Sequence, residues 1–155
     1  MEKLASTYFL RDLTRSETDV IRAITRIVEA KQGYLILRQG QPSENLYIVR
    51  TGSVRVVLPA PGDEEISDNP EQTLVVLGPG ECFGEFAFVD RKPSSATVVA
   101  NVDCTLYAIG HDQMDGRLSA NPTMAAKIYK ALLHILVGRF RNTDVQLAFR
   151  KALGG

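Results

Sequence analysis

The sequence predicts a mainly β protein with flanking helices: an antiparallel β-roll of the jelly-roll, double-stranded β-helix kind, with N-terminal helices and a long C-terminal helix. Two observations carry that prediction. Between Tyr34 and Ile109, short runs rich in Val, Ile, Leu and Thr are punctuated by Gly40, Gly52, Gly78 and Gly80, with Gly33 at their start. Short β-prone runs cut by glycine turns pack as a small antiparallel roll or sandwich. On either side of that region the apolar residues recur every three or four positions instead, which is the helical period.

From Leu4 to about Glu29, the residues Leu10, Leu13, Val20, Ile24, Ile27 and Val28 keep helical spacing, and Thr14-Arg15-Ser16-Glu17 has the form of a capping box. One or two helices are therefore expected, ending at Lys31-Gln32-Gly33. Strands are expected at Tyr34 to Leu37, Leu46 to Val49, Val54 to Leu58, Leu74 to Leu77, Ser95 to Ala100 and Thr105 to Ile109. The acidic, proline-containing segment between Pro59 and Gln72 has the composition of a solvated hairpin tip.

After Gly110 the pattern returns to helix. Asn121-Pro122 offers an N-cap followed by proline at the first helical position. Met124, Ala125, Ile128, Tyr129, Leu132, Leu133, Ile135, Leu136, Val137 and Phe140 then follow, too many apolar side chains for one buried stripe. The Pro122 to Phe140 helix is accordingly expected to meet a partner, a second copy of the chain or another protein. One domain over residues 1–155 accommodates all of this: helices in 1–32, the roll in 33–110 and helices in 111–155.

Composition excludes several function classes. Lys and Arg number 18 against 18 Asp and Glu, so no basic field draws the chain to a nucleic-acid backbone, and no nucleic-acid partner is expected. No stretch approaches the ~20 apolar residues of a membrane span, and the N-terminus has no long apolar run; the expectation is a cytoplasmic protein without membrane contact. Cys82 and Cys104 lie far apart, outside any C-x-x-C pair, and are read as small buried hydrophobes. His111 and His134 are the two histidines. They supply neither a metal-ligand cluster nor a nucleophile with its base, so no metal and no enzyme are expected.

The most informative stretch is Phe83-Gly84-Glu85-Phe86-Ala87 followed by Pro93-Ser94-Ser95-Ala96-Thr97-Val98. A glycine before a helical turn allows close approach of a ligand, and the first N–H groups of the turn have no intrahelical partners. Gly84 is equally compatible with an ordinary turn, and Glu85 with a carboxylate that complements a helix dipole. The surroundings decide between these readings. Gly33-x-x-Ile36-x-x-x-Gly40, Leu46-Tyr47-Ile48-Val49, Thr51-Gly52-Ser53-Val54 and Leu77-Gly78-Pro79-Gly80-Glu81-Cys82-Phe83-Gly84-Glu85, with Asn121-Pro122 beyond, together resemble the cyclic nucleotide-binding domains. The resemblance covers almost the whole chain.

It implies a non-enzymatic regulatory module without a cofactor, whose ligand is a cyclic nucleotide, cyclic AMP or cyclic GMP, or a related small anion. Glu85 would accept from a ribose hydroxyl. Beside Gly84, the backbone N–H groups of Glu85, Phe86 and Ala87, with Ser94 and Ser95, would face the phosphate, Thr97 would offer a further hydroxyl, and Arg139, Asn142 and Thr143 would cap the base. Ligand binding would reposition the C-terminal helix and with it a dimer or partner surface. Two departures stand out. The chain stops within a few residues of the long helix, where transcription factors of this type continue into a DNA-reading element. Ser94 also stands where the family has its phosphate-binding Arg, and hydroxyls replace its hydrogen bonds but not its charge. Arg91 and Lys92 are the candidate substitutes. The alternative is a ligand-independent interaction or dimerisation module with a degenerate pocket.

Overall fold

The structure, a computed structural model, describes Leu4, residues 7–57 and residues 73–141. The expected hairpin tip after Pro59, and Asn142 and Thr143, lie outside the described residues. The elements in order are α1 (Arg15–Ala23), β1 (Thr25–Ala30), β2 (Leu35–Leu37), β3 (Asn45–Thr51), β4 (Val54–Val57), β5 (Thr73–Leu77), β6 (Cys82–Phe83), α2 (Glu85–Asp90), β7 (Thr97–Ala100), β8 (Cys104–Gly110), α3 (His111–Ala120) and α4 (Pro122–Arg141).

The strands form two four-stranded antiparallel sheets, ordered β1-β8-β3-β6 and β2-β7-β4-β5. This is the antiparallel roll with flanking helices that the sequence predicts. Side chains alternate across each strand, so each sheet has two faces. Val49, Phe83 and Leu106 from the first sheet meet Leu37, Val54, Leu77 and Val98 from the second, and these fill the roll. On the other face of the first sheet, Leu46, Ile48, Tyr107 and Ile109 pack against Phe9, Leu10 and Ile21 from the N-terminal segment. Met114, Leu118, Met124, Ile128 and Leu132 from α3 and α4 complete that second core.

One expected boundary is corrected. The N-terminal helical region stops at Ala23, and Thr25–Ala30 is a strand paired along its whole length with Cys104 to Ile109 of β8. The β-branched Thr25, Ile27 and Val28 suit a pleated surface, and the hydrogen bonds of a long neighbouring strand outweigh a helical spacing that those residues also satisfy. The capping box is present: Thr14 Oγ1 accepts from Glu17 N at 3.2 Å and the Glu17 carboxylate accepts from Thr14 N. Glu17 also receives Lys127 Nζ at 2.9 Å, which ties α1 to α4 and holds its carboxyl below the ordinary range. At the start of α4, Asn121 Oδ1 accepts from Met124 N at 3.1 Å, the N-cap role that Asn121-Pro122 predicts.

Candidate functional site

The cassette begins at Gly84, whose φ of +80° lies in the left-handed region. A Cβ built there would stand 2.7 Å from the Asn45 carbonyl oxygen, so both the dihedral and the space demand glycine. The chain then enters α2, a helix only as long as Glu85–Asp90, and leaves it through Arg91, which is also left-handed at φ 59°. A left-handed residue at each end therefore fixes the direction of a very short helix.

α2 is amphipathic in a way that matters. Glu85, Ala87 and Phe88 turn inward, while Phe86 and Val89 are exposed. Glu85 is a carboxylate at 4% exposure, and burial of a charge is tolerated only with a partner. The partner comes from the far end of α4. Arg139 donates one Nη to Glu85 Oε1 and the other to the Cys82 carbonyl. A second contact joins the same helices, where the Phe88 and Tyr129 rings stack with centroids 6.3 Å apart, about one turn along α2 and nearly three turns along α4 from the first.

Cys82 sits just before the cassette, and both cysteines are free and buried, as expected of small hydrophobes. Burial first, with Glu85 adding to it, pushes the Cys82 thiol up to about 12, which removes it from thiolate chemistry. Beneath α2, His111 is buried against Phe88 at 5.7 Å. Burial, and secondarily the Arg91 guanidinium, hold its imidazole below the ordinary value.

The second half of the cassette is held largely by its main chain. Gly40 N donates to the Ser94 carbonyl and Ser94 N donates to the Gln41 carbonyl, both at 2.9 Å. The Ser94 hydroxyl is buried and donates to the Ala96 carbonyl at 2.7 Å. Ser95 is exposed. Thr97 is buried, and its Oγ1 accepts from Gln39 N at 3.0 Å; register with Val57 places it on the face of the second sheet opposite Val98, and Val98 lines the interior.

The structure thus brings Gly84, Glu85, Ala87 and Arg139 together and keeps Ser94 beside the β2 side of the loop. Arg139 stands on the carboxylate rather than in the base-capping position its place in the helix suggests. Arg91 is not swung toward Ser94: it pairs with Asp112 at 3.0 Å and with Asp115, and reaches the His111 carbonyl. Lys92 is exposed. Sequence reasoning missed the role of Asp112 and Asp115, although two carboxylates at i, i+3 at the start of a helix were a visible signal of a basic partner. A cleft of about 270 Å³ elsewhere, lined by Glu29, Lys31, Asp103 and Thr105 among others, includes none of the cassette residues. Among the described residues no three His, Cys, Asp or Glu side chains group as metal ligands, and no helix is long and apolar enough to cross a membrane.

Comparison with known proteins gives a consistent result. Residues 27–121 match the family model described as the cyclic nucleotide-binding domain. The chain is 34% identical over 116 residues to the cyclic AMP receptor protein of Thermus thermophilus, covering 75% of this chain and 49% of that protein. It is 27% identical over 135 residues to a CRP-like cAMP-activated global transcriptional regulator of Mycobacterium tuberculosis, covering 85% and 56%. The chain therefore spans about half the length of these curated relatives. A cyclic nucleotide-binding domain from Methylobacillus flagellatus superposes with a TM-score of 0.78 at 24% identity, covering 97% of this chain and 80% of that one, a likeness of fold.

Proposed function

The chain belongs to the cyclic nucleotide-binding domain family, and from that premise we propose that it is a regulatory module that holds a ribose-bearing ligand at Glu85 and signals its presence through α4. Cyclic AMP is the ligand to which these relatives point, since those from Thermus and Mycobacterium are described as a cyclic AMP receptor and a cAMP-activated regulator, and cyclic GMP shares its ribose and cyclic phosphate. The single observation behind the reading is that the buried Glu85 carboxylate is shared with Arg139 of α4. A sugar hydroxyl that donates to Glu85 must compete with, or sit beside, that guanidinium, so occupancy and the position of α4 are energetically linked. The Phe88–Tyr129 stack gives α2 a second contact with the same helix.

The output of such a shift is the outer face of α4. Tyr129, Leu133, Val137 and Phe140 recur every three or four residues and are exposed, Leu133 at 61% and Phe140 at 64%, while Met124, Ile128, Ala131 and Leu132 on the other side are buried. Such a stripe suits pairing with a second copy of α4. Calorimetric titration with cyclic AMP and cyclic GMP, coupled to hydrogen exchange of α4, tests the reading. Binding with altered protection of α4 supports it; binding that leaves α4 unchanged removes the signalling half.

A second reading is that the pocket is degenerate and the domain serves only to assemble proteins. It is favoured by Ser94 at the position of the family's phosphate-binding Arg, and by the mutual satisfaction of Glu85 and Arg139. Absence of binding by any ribose-bearing ligand, with α4 still pairing, would establish it.

A further inference from the structure

We propose that the ligand of this site is an uncharged nucleoside rather than a cyclic nucleotide anion. The inference rests on the reading of Glu85 as the ribose receptor and names the class of ligand. It follows from the donors that remain at position 94. The Ser94 hydroxyl has one proton and donates it to the Ala96 carbonyl at 2.7 Å. The Ser94 backbone N–H is spent on the Gln41 carbonyl at 2.9 Å. The hydroxyl oxygen also accepts from Ala96 N at 3.4 Å, so what the residue 94 side chain has left to offer is one lone pair, in a residue at 8% exposure. A phosphate oxygen only accepts, so two acceptors would face each other out of water; a sugar hydroxyl, such as the one a nucleoside has where the cyclic phosphate would close, can donate to that lone pair.

Charge points the same way. Arg91 is the cation nearest in sequence to the end of α2, and it is drawn onto Asp112 at 3.0 Å and onto Asp115. Arg139 reaches the site but is matched by the Glu85 carboxylate. Lys92 and Arg38, which flank the cassette loop and β2, are exposed, where water and salt weaken their pull on a phosphate. The described part of the site is therefore close to neutral, and a monoanion would enter without a compensating buried charge. The donor Glu85 needs from the ribose is the same in a nucleoside and in its cyclic phosphate. Apart from the main-chain N–H groups at the start of α2, these residues thus make no provision for the phosphate of a cyclic nucleotide.

The test is a calorimetric titration of the chain at physiological salt with adenosine, guanosine, cytidine and uridine and with their cyclic monophosphates. At least one nucleoside is expected to bind about tenfold or more tightly than its cyclic monophosphate. Ser94→Ala, which removes the accepting lone pair together with the hydroxyl's bonds to Ala96, is expected to weaken the nucleoside and leave the cyclic form unchanged. Ser94→Arg is expected to reverse the order. A cyclic monophosphate that binds the unaltered chain as tightly as its nucleoside overturns the inference and leaves the proposed function standing. If neither class binds the unaltered chain or Ser94→Ala, the ribose reading of Glu85 falls, and the inference with it.

Discussion

Replacing Arg139 by Met removes the guanidinium from Glu85 while keeping much of the apolar stem that packs along α4. The carboxylate left behind is 5% exposed, whereas the arginine is 30% exposed. Breaking a fully buried pair costs about 3–5 kcal/mol. Because water already reaches part of the guanidinium, the cost here is expected to be smaller, about 2–3 kcal/mol including the Cys82 carbonyl that loses its donor. Glu85→Gln is the informative contrast. It leaves a neutral amide that still accepts a hydrogen bond, and the stranded cation is the better hydrated partner, so its cost is expected to be about 1 kcal/mol. In a chain of 155 residues each kcal/mol moves the unfolding midpoint by about 2–4 °C, so Arg139→Met should lower Tm by roughly 4–12 °C. With Glu85→Gln already in place, Arg139→Met should cost little more, a coupling of about 1–2 kcal/mol in the cycle. Calorimetric scans and denaturant titrations of the two single variants and the double variant measure this. If Arg139→Met proves no costlier than Glu85→Gln, or if the two losses simply add, the pair is not the anchor of α4 and the link from pocket to helix fails.

Three further expectations are independent of that pair. Gly84→Ala forces a left-handed Ala with its Cβ 2.7 Å from the Asn45 oxygen; a loss of about 2 kcal/mol or more is expected in denaturant titrations, and a loss below ~0.5 kcal/mol would mean that the turn relaxes freely. His111 is held neutral, so below its ordinary value of 6.5 the unfolded chain takes up the proton first and stability falls with pH until the folded-state value is passed. Unfolding midpoints from about pH 7.5 to about pH 5 should show that fall, and His111→Gln should flatten it; an unchanged slope would assign it to other groups. Sedimentation should find a dimer that Leu133→Glu with Phe140→Glu dissociates without loss of folded structure, whereas a monomeric unaltered chain would leave the α4 stripe to another partner.

The roll was legible in the sequence because strand punctuation is local chemistry: Gly40, Gly52 and Gly80 adopt positive φ where the turns require it, and the valine and isoleucine runs between them have few alternatives. β1 was not, since Ile24, Ile27 and Val28 fit helical spacing and pleating alike, and only the distant Cys104–Gly110 strand decides between them. The capping residues Thr14, Glu17 and Asn121 were readable for the same local reason. At the site, Gly84 and Glu85 were visible in the motif. The engagement of Arg139 with Glu85, 54 positions apart, and of Arg91 with Asp112 and Asp115, was not, because such pairings are set by how α3 and α4 dock and leave no periodic trace in the chain. The long helix, by contrast, announced both its faces through an excess of apolar residues.

Residue 94 is clamped by its peptide groups, donating to Gln41 and accepting from Gly40, two bonds that do not depend on the side chain it carries. The scaffold and the ligand's charge are in that sense separate inheritances: a single codon at this position can retune what the pocket recognises, while the strands, the short helix and its glutamate pass unchanged to the descendant. A domain wired like this can be recruited to a new chemical signal before any other part of it has to evolve.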